Sequence, residues 1–212
     1  MTIGLFGATG KTGSRVLEQA LEAGHHVKAL VRSPDKLTTT SDKLEVIKGD
    51  MTDRADAEKT VSGVDAVIMA AGPVKGSPTD MLVNAANAIV GAMKSAGSKR
   101  LVWLTGAGVL DERDGKAFSR NLIRGIMKIA AGKVLKASEN AYEIVRASGL
   151  DYTIVRPPML ADEPGGINLT GSYTPPKPIP VGRGDLAAFL LNTAVTGEWV
   201  KESPLVSYTE KK

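Results

Sequence analysis

The chain has 212 residues, and its 27 Lys and Arg against 23 Asp and Glu give a formal net charge of +4 at pH 7. This length, with 42% hydrophobic and 24% charged residues, is typical of one globular domain with a full core. The absence of cysteine excludes disulfides, a thiol nucleophile, Cys-ligated zinc and iron–sulfur clusters. Because aromatic residues make up only 4%, a base-stacking surface for nucleic acid is not expected. We therefore predict a single domain over residues 1–212.

Features that the chain lacks exclude further kinds of site, location and partner. His25 and His26 are its only histidines, too few for a His-based metal site. No apolar run reaches the ~18 residues that a membrane span needs, and the chain opens on a strand-like run rather than a signal peptide. We expect a cytoplasmic protein, a monomer or small homo-oligomer, whose partners are neither nucleic acids nor membranes.

Strand-like and helix-like patterns alternate along the chain. Short apolar or alternating runs predict strands, and apolar residues at helical spacing predict helices. In chain order we predict a strand over 3–6, a helix over 11–23, strands over 26–31 and 44–47, a helix over 52–62, a strand over 65–71, a helix over 80–96, a strand over 100–104, a helical region over 117–147 broken near Gly132, a strand over 152–155, a helix over 185–196 and an edge strand over 205–208.

This alternation predicts the fold class. Strands joined through helices pair in parallel, and the helices cover both faces of the sheet. We therefore predict an α/β fold, a Rossmann-type doubly wound parallel sheet, whose ligand binds at the carboxyl ends of the strands. The segment 162–184 is rich in Pro and Gly and is the candidate for a flap on the substrate side.

A glycine-rich turn, Gly-Ala-Thr-Gly-Lys-Thr-Gly over 7–13, lies between the first strand and the first helix. In that context the first glycine permits the tight turn, the second a close approach to a pyrophosphate, and the third close packing of the helix. The N–H groups of the first helical turn then face the phosphates. A lysine inside the turn either screens phosphate charge or is solvated. The cofactor residues predicted here are Gly7, Thr9, Gly10, Lys11, Thr12 and Gly13.

The end of the second strand indicates which dinucleotide binds. An NAD site usually places an acidic residue there for the ribose 2′-hydroxyl, whereas here Arg32 and Ser33 follow the strand. An arginine fork suits a 2′-phosphate, and the serine hydroxyl adds a donor. The sequence therefore favours NADP over NAD, with a plain surface arginine as the alternative.

The ends of the third and fourth strands complete the predicted cofactor site. Asp50 could accept a hydrogen bond from the adenine amino group while Met51 packs on the ring. The small residues Ala70, Ala71 and Gly72 leave room for a nucleotide backbone. The alternative for each of these two strand ends is a plain turn.

Several motifs together resemble one family over nearly the whole chain. The chain resembles the atypical short-chain dehydrogenase/reductases with an NAD(P)H-binding, NmrA-like fold, and among them the flavin reductase/biliverdin reductase B type. The segments that carry the resemblance are GATGKTG (7–13), LVR (30–32), GDMTD (49–53), NAIVGAMKSAG (87–97), SGLDYTIVRPP (148–158), LTGSYT (169–174) and RGDLAAFLL (183–191).

The resemblance implies a single-domain enzyme that binds NADPH in an extended pose. The nicotinamide would lie near Thr105 and the pair Pro157 and Pro158, with Thr105 as the one candidate catalytic hydroxyl. Hydride would pass directly to a flat acceptor such as a flavin, a quinone or a linear tetrapyrrole. The substrate pocket would be lined by Gly106, Pro158 and Met159.

The chain departs from the family pattern at its catalytic positions. The superfamily dyad is Tyr-x-x-x-Lys, but Tyr142 is followed four residues later by Arg146, so a core or surface tyrosine is favoured over a catalytic one. The flavin/biliverdin reductase type has serine and histidine where this chain has Gly106 and Met159. Flavin reduction depends mainly on stacking and placement and could survive these changes.

Two other functions remain open at this stage. One is an NADP-sensing regulator that binds nucleotide without turnover; the other is an epimerase or dehydratase that retains its cofactor. A basic helix face formed by Lys116, Arg120, Arg124 and Lys128 is either a wall that attracts an anionic substrate or a solvated surface.

Overall fold

A computed structural model describes residues 1–115, 118–162, 168–174 and 179–209, with the backbone alone over 118–131. Strands and helices alternate through these residues as the sequence predicts. In chain order the elements are β1 (Thr2–Phe6), α1 (Gly13–Glu22), β2 (His26–Val31), a 3₁₀ turn (Pro34–Lys36), β3 (Leu44–Lys48), α2 (Arg54–Val61), β4 (Ala66–Met69), α3 (Met81–Ala96), β5 (Arg100–Leu104), α4 (Phe118–Arg146), β6 (Asp151–Val155), β7 (Leu160–Ala161), β8 (Leu169–Ser172), β9 (Val181–Gly182), α5 (Arg183–Thr196) and β10 (Leu205–Tyr208).

The main sheet is parallel and has the strand order β3-β2-β1-β4-β5-β6. The order reverses between β1 and β4, and at such a switch point a crevice opens above the carboxyl ends of the strands. Helices α1 and α5 pack together on one face, while α2, α3 and α4 pack in sequence on the other. The predicted Rossmann-type, doubly wound α/β fold is confirmed.

The alternating side chains of the strands feed two separate core clusters. In β4, Ala66 and Ile68 belong to the cluster under α1 and α5, whereas Val67 and Met69 belong to the cluster under α2 to α4. All four residues are buried, as is usual for a strand covered on both faces. The short apolar runs of the sequence therefore mark strands in the middle of the sheet.

Helix α4 shows where the sequence prediction is wrong. The helix continues from Phe118 to Arg146 without the break predicted near Gly132. A glycine inside a helix costs only about 1 kcal/mol relative to alanine, which the good helix-forming residues that follow it offset. The side chains of the predicted basic face, Lys116, Arg120, Arg124 and Lys128, lie outside the described residues.

The C-terminal part forms two small sheets beside the main one. The predicted strand 205–208 is present as β10, but it pairs antiparallel with β8 rather than joining the six-stranded sheet. Strand β7 pairs in parallel with β9. The predicted flap 162–184 thus contains β8 and β9, and its parts 163–167 and 175–178 lie outside the described residues.

Across the described parts of the chain, we find no helix with the length and apolar character that crossing a membrane requires.

Candidate active site

The glycine turn lies at the switch point and leaves no space for side chains at its first and last positions. Gly7 has φ +90°, and a Cβ there would lie 2.7 Å from the backbone nitrogen of Ala71 in the neighbouring strand end. A Cβ on Gly13 would lie 2.0 Å from the carbonyl oxygen of Gly7. Gly10 closes the turn by donating its N–H to the same oxygen at 2.9 Å. The predicted tight turn and close helix packing are therefore both present.

The amino end of α1 carries N–H groups that have no acceptor among the described residues. Ser14 donates to the Gly10 carbonyl, but the N–H groups of Lys11, Thr12 and Gly13 have no such partner. The helix has no side-chain cap and no acidic residue in its first turn. Free N–H groups at the positive end of a helix dipole form a ready site for an anion.

A carboxylate from beyond β7 lies beside this turn. Asp162 accepts hydrogen bonds from Lys11 Nζ at 2.9 Å and from an Arg183 guanidinium nitrogen at 2.7 Å. The Lys11 hydrogen bond and the nearby positive charges hold the pKa of Asp162 below its ordinary value. The sequence indicated Lys11 as a site residue but did not show that Asp162 and Arg183 lie beside it, because both are more than a hundred residues away along the chain.

The end of β2 presents a cation, Arg32, whose side chain has no charged partner among the described residues. Arg32 is exposed, and within the described chain no acceptor or carboxylate holds its guanidinium. Ser33 is half-buried and precedes the 3₁₀ turn, whose Lys36 N–H donates to the Ser33 carbonyl. The serine hydroxyl makes no capping bond. Both side chains lie at the same carboxyl edge as the glycine turn.

The end of β3 holds a rigid acidic turn. Asp50 Oδ1 accepts from the N–H and the hydroxyl of Thr52, at 2.8 and 2.7 Å, and the Asp50 N–H donates to Asp56. Gly49 makes room for Asp56, whose carboxylate oxygen lies 2.4 Å from where a Cβ would be. Met51 is half-buried and packs against the core cluster under α2 to α4. These hydrogen bonds hold the turn in place within the protein itself. The contacts of Asp50 and Met51 with adenine stay predictions.

The end of β4 forms the other wall of the crevice. Ala70 is buried and donates its N–H to the Phe6 carbonyl at 3.0 Å, while Ala71 lies directly against Gly7. Gly72 is exposed, and no atom lies within 4 Å of where its Cβ would be. Open space at this position is what a dinucleotide backbone would need.

The ends of β5 and β6 run side by side beyond the sheet. Thr105 donates its N–H to Val155 at 3.0 Å, and Ala107 donates to Pro157 at 2.9 Å. Gly106 lies between them with open space where a Cβ would be. This pairing brings together Thr105 and Pro157, which are predicted to lie near the nicotinamide, and Gly106, which is predicted to line the substrate pocket.

The residues that follow β6 at this edge are apolar. Pro157 is buried, Pro158 is half-buried, and Met159 is 50% exposed. An exposed methionine offers a soft surface for a flat ring.

Tyr142 is a core residue and does not face this edge. It is 2% exposed, and its hydroxyl donates to Asp111 at 2.7 Å. Burial and the hydrogen bond to Asp111 raise the pKa of Tyr142 to about 12. Arg146, which stands where the dyad lysine would be, pairs instead with Glu112. The interpretation of Tyr142 as a packing residue agrees with these contacts.

A buried ion pair, missed at the sequence level, holds the loop between β5 and α4. Arg156 is completely buried, and its two terminal nitrogens bind the two carboxylate oxygens of Asp114 at 2.6 and 2.8 Å. The same guanidinium donates to the carbonyls of Val109 and Ser203. A charged residue at the end of an apolar strand, as in YTIVRPP, signals that a partner is needed. It does not say which residue that partner is.

A second group of charged residues lies next to the Arg156–Asp114 pair. Arg113 donates to both oxygens of Asp111 and to Glu202, and its guanidinium lies 4.4 Å from the centre of the Tyr173 ring. Burial disfavours ionisation of Asp111, but hydrogen bonds from Arg113 and Tyr142 outweigh it and leave the pKa of Asp111 well below its ordinary value. The network ties residues 109–114 to the C-terminal segment.

The family model described as NAD(P)H-binding matches residues 7–196. The uncharacterized protein YwnB of Bacillus subtilis is 27% identical over 82% of this chain and 78% of its own length. A (4-alkanoyl-5-oxo-2,5-dihydrofuran-3-yl)methyl phosphate reductase of Streptomyces griseus is 32% identical over 71% of this chain. Among solved structures, the anaerobilin reductase ChuY of Escherichia coli O157:H7 superposes with a TM-score of 0.82, at 23% identity, over 100% of this chain and 99% of that one.

The chain spans 45% of the length of the Streptomyces reductase, so that protein's full activity does not transfer with the match. The matched range nevertheless starts at the glycine turn and ends with α5, and therefore includes the whole crevice. The chain belongs to the family described as NAD(P)H-binding, which indicates a nicotinamide cofactor.

Proposed function

We propose that the protein is an NADPH-dependent oxidoreductase that transfers hydride to a small, flat, conjugated acceptor such as a flavin, a quinone or a tetrapyrrole-like compound. The observation that carries the proposal is the crevice at the switch point. There the unpartnered N–H groups of the glycine turn and the unneutralised Arg32 lie along one edge of the sheet. They match the two anionic parts of NADPH, its pyrophosphate and its 2′-phosphate.

The residues of the crevice fit this cofactor. Gly7 and Gly13 allow the turn, Gly72 leaves the wall of β4 open, and Arg32 with Ser33 would hold the 2′-phosphate. When bound, the nicotinamide supplies the hydride. Thr105 and Pro157, fixed by the pairing of the β5 and β6 ends, would orient its ring.

The proposed class of acceptor depends on whether a protein group in the crevice could donate a proton to the acceptor. The hydroxyl of Tyr142 is buried on Asp111 and its pKa is raised to about 12, so it supplies no general acid to the crevice. A conjugated acceptor that is placed correctly takes up hydride at its reacting atom without a protein acid there, because the negative charge is delocalised and water can supply the proton. Gly106, Pro158 and Met159 would form the flat contact surface. The reductase names of the Streptomyces and E. coli proteins agree with this class.

The direct test is NADPH oxidation, followed by absorbance, against FMN, FAD, a quinone and biliverdin, with NADH as the control cofactor. We expect turnover with at least one acceptor, faster with NADPH than with NADH. Tight NADPH binding without turnover across the panel would favour the second candidate, an NADP sensor, which the engagement of Tyr142 with Asp111 supports. NADP that stays bound through purification, with no acceptor turnover, would favour an epimerase.

Arg32→Ala tests the choice of cofactor. The variant loses the guanidinium predicted to bind the 2′-phosphate, and hydrogen bonds to charged groups contribute about 1.5–3 kcal/mol each, so we expect roughly tenfold to hundredfold weaker NADPH binding. NADH binding should change little. Lys94→Ala removes an exposed cation in the last turn of α3 and is the matched control. Equal weakening of both cofactors by Arg32→Ala would remove the argument for NADP.

The domain organisation is part of the proposal. We place the whole chain in one NAD(P)-binding domain, with 162–184 on the acceptor side of the crevice. The contact of Asp162 with Lys11 supports this placement, because it brings the start of that segment to the glycine turn.

A further inference from the structure

Three cationic side chains gather around one carboxylate beside the glycine turn. Asp162 bridges Lys11 and Arg183, and the charge of Arg15 also lowers its pKa. Lys11 belongs to the turn that opens α1, and Arg183 is the first residue of α5. A hydrogen bond from Gln19, in the second half of α1, to the Gly184 carbonyl at 3.0 Å connects α1 to the amino end of α5. Among the residues that the structure describes, three cations therefore share this one carboxylate.

The carboxylate is the replaceable member of this group. The side chains of Asp162 and Lys11 are 50% and 69% exposed, so water and ions reach the contact between them. The Arg183 side chain is only 18% exposed and lies in a fixed place at the start of α5. An exposed ion pair adds little stability, so an anion with more charge can displace the aspartate.

The geometry points to a phosphate-binding cation pair, Lys11 with Arg183, which Asp162 occupies until a ligand phosphate takes its place. This inference rests on the proposed function. A phosphate group offers more charge and more acceptor oxygens than one carboxylate, and the N–H groups of Lys11, Thr12 and Gly13 lie in the same turn to receive it. Displacing Asp162 exchanges one anion for another, so Arg183 stays neutralised.

The phosphate has two possible sources, the pyrophosphate of NADPH and the phosphate of a phosphorylated acceptor. The pyrophosphate is the expected source, because Lys11 belongs to the glycine turn itself. Acceptors with and without a phosphate, FMN and riboflavin, separate the two sources in kinetic measurements.

Asp162→Asn tests the inference because it keeps the shape of the side chain and removes its charge. If Asp162 competes with the ligand, we expect NADPH to bind several-fold more tightly to the variant, and inorganic pyrophosphate to bind more tightly as well. Arg183→Gln should weaken both ligands. Glu45→Gln is the matched control, since Glu45 pairs with Lys28 on the main sheet, away from the glycine turn, and the variant changes the net charge equally.

Each result of these measurements leads to a different conclusion. Tighter NADPH and pyrophosphate binding assigns the cation pair to the cofactor, whereas a lower KM for FMN but not for riboflavin assigns it to the acceptor. Unchanged or weaker binding of all these ligands by Asp162→Asn would overturn the inference. Failure of the proposed function is a different result, in which the wild-type protein binds no NADPH, while pyrophosphate titration still reports on Lys11 and Arg183.

Discussion

The two ends of the crevice are built in different ways. Over β1 and β4 the site depends on one short turn, in which Gly7 and Gly13 touch each other and the neighbouring strand end. Over β5 and β6 it depends on side chains far apart along the chain, since Arg156 and Asp114 are 42 positions apart and Arg113 and Glu202 are 89 positions apart. The end over β1 and β4, where we propose that the cofactor binds (the cofactor end), is thus a local motif. The end over β5 and β6, where we propose that the acceptor binds (the acceptor end), is a product of tertiary packing. Substitutions at the two ends should therefore differ in their effects on stability and on NADPH binding.

The largest effect is expected from Arg156→Met, at the acceptor end. The variant leaves Asp114 buried beside a neutral side chain, and breaking a buried pair from one side costs about 3–5 kcal/mol. Urea unfolding would measure this change in the free energy of unfolding. Arg54→Met breaks the exposed pair with Glu58 and should cost less than about 1 kcal/mol. Similar losses in the two variants would show that the buried pair is not what holds the acceptor end.

Gly13→Ala should come next, with its main effect at the cofactor end. The new Cβ would lie 2.0 Å from the Gly7 carbonyl, and such overpacking costs about 1–3 kcal/mol. Because the turn must open to accept it, we also expect NADPH binding to be lost in a fluorescence titration. Gly184→Ala adds the same methyl group in the first turn of α5, where nothing lies within 4 Å, and should bind NADPH normally. Normal binding by Gly13→Ala would contradict the local origin of the cofactor site.

A smaller effect is expected from Tyr142→Phe. The variant removes the hydrogen bond to Asp111 and should cost about 1 kcal/mol of stability, while acceptor reduction continues at a similar kcat. A large loss of kcat with unchanged stability would instead give Tyr142 a catalytic role.

The same residue makes a pH-dependent prediction. Because the folded state raises the pKa of Tyr142 from 10.0 to about 12, its contribution to stability is complete below pH 10 and is lost as the pH rises through 12. We expect the wild-type protein to lose stability over this range more steeply than Tyr142→Phe. Unfolding midpoints measured at intervals between pH 9 and pH 12 would show the difference, and parallel curves would count against it.

The smallest effect on stability is expected from Met159→Ala. The side chain is half-exposed, so the free energy of unfolding should stay within about 0.5 kcal/mol of the wild type. If Met159 forms the acceptor surface, the KM for the acceptor should rise while NADPH affinity stays unchanged. Val195→Ala, an exposed apolar residue near the end of α5, is the control. Equal kinetics in the two variants would remove Met159 from the pocket.

The contrast between a local turn and contacts between distant residues also explains what the sequence could predict. The strands, the sheet type and the glycine turn follow from patterns within a few residues, and β2 and β5 occupy the ranges predicted for them. The partners of Arg156 could not be predicted, because a buried charge shows that a partner exists without showing where it lies. The pairing of β10 with β8 was missed for a similar reason, since a strand pattern does not name its neighbour. The helix break predicted near Gly132 is wrong, because that prediction gave too much weight to a single glycine.

The position of the Arg156 acceptors also sets an order of events during synthesis. Residues 1–104 contain β1 to β5 and can pair their strands before the rest of the chain is made. The contacts of the Arg156 guanidinium with Asp114 and Val109 need the chain as far as Arg156, but its hydrogen bond to the Ser203 carbonyl also needs Ser203. The turn over β1 and β4 can therefore form from residues 1–104, whereas the contacts of Arg156 are complete only after Ser203 has been made.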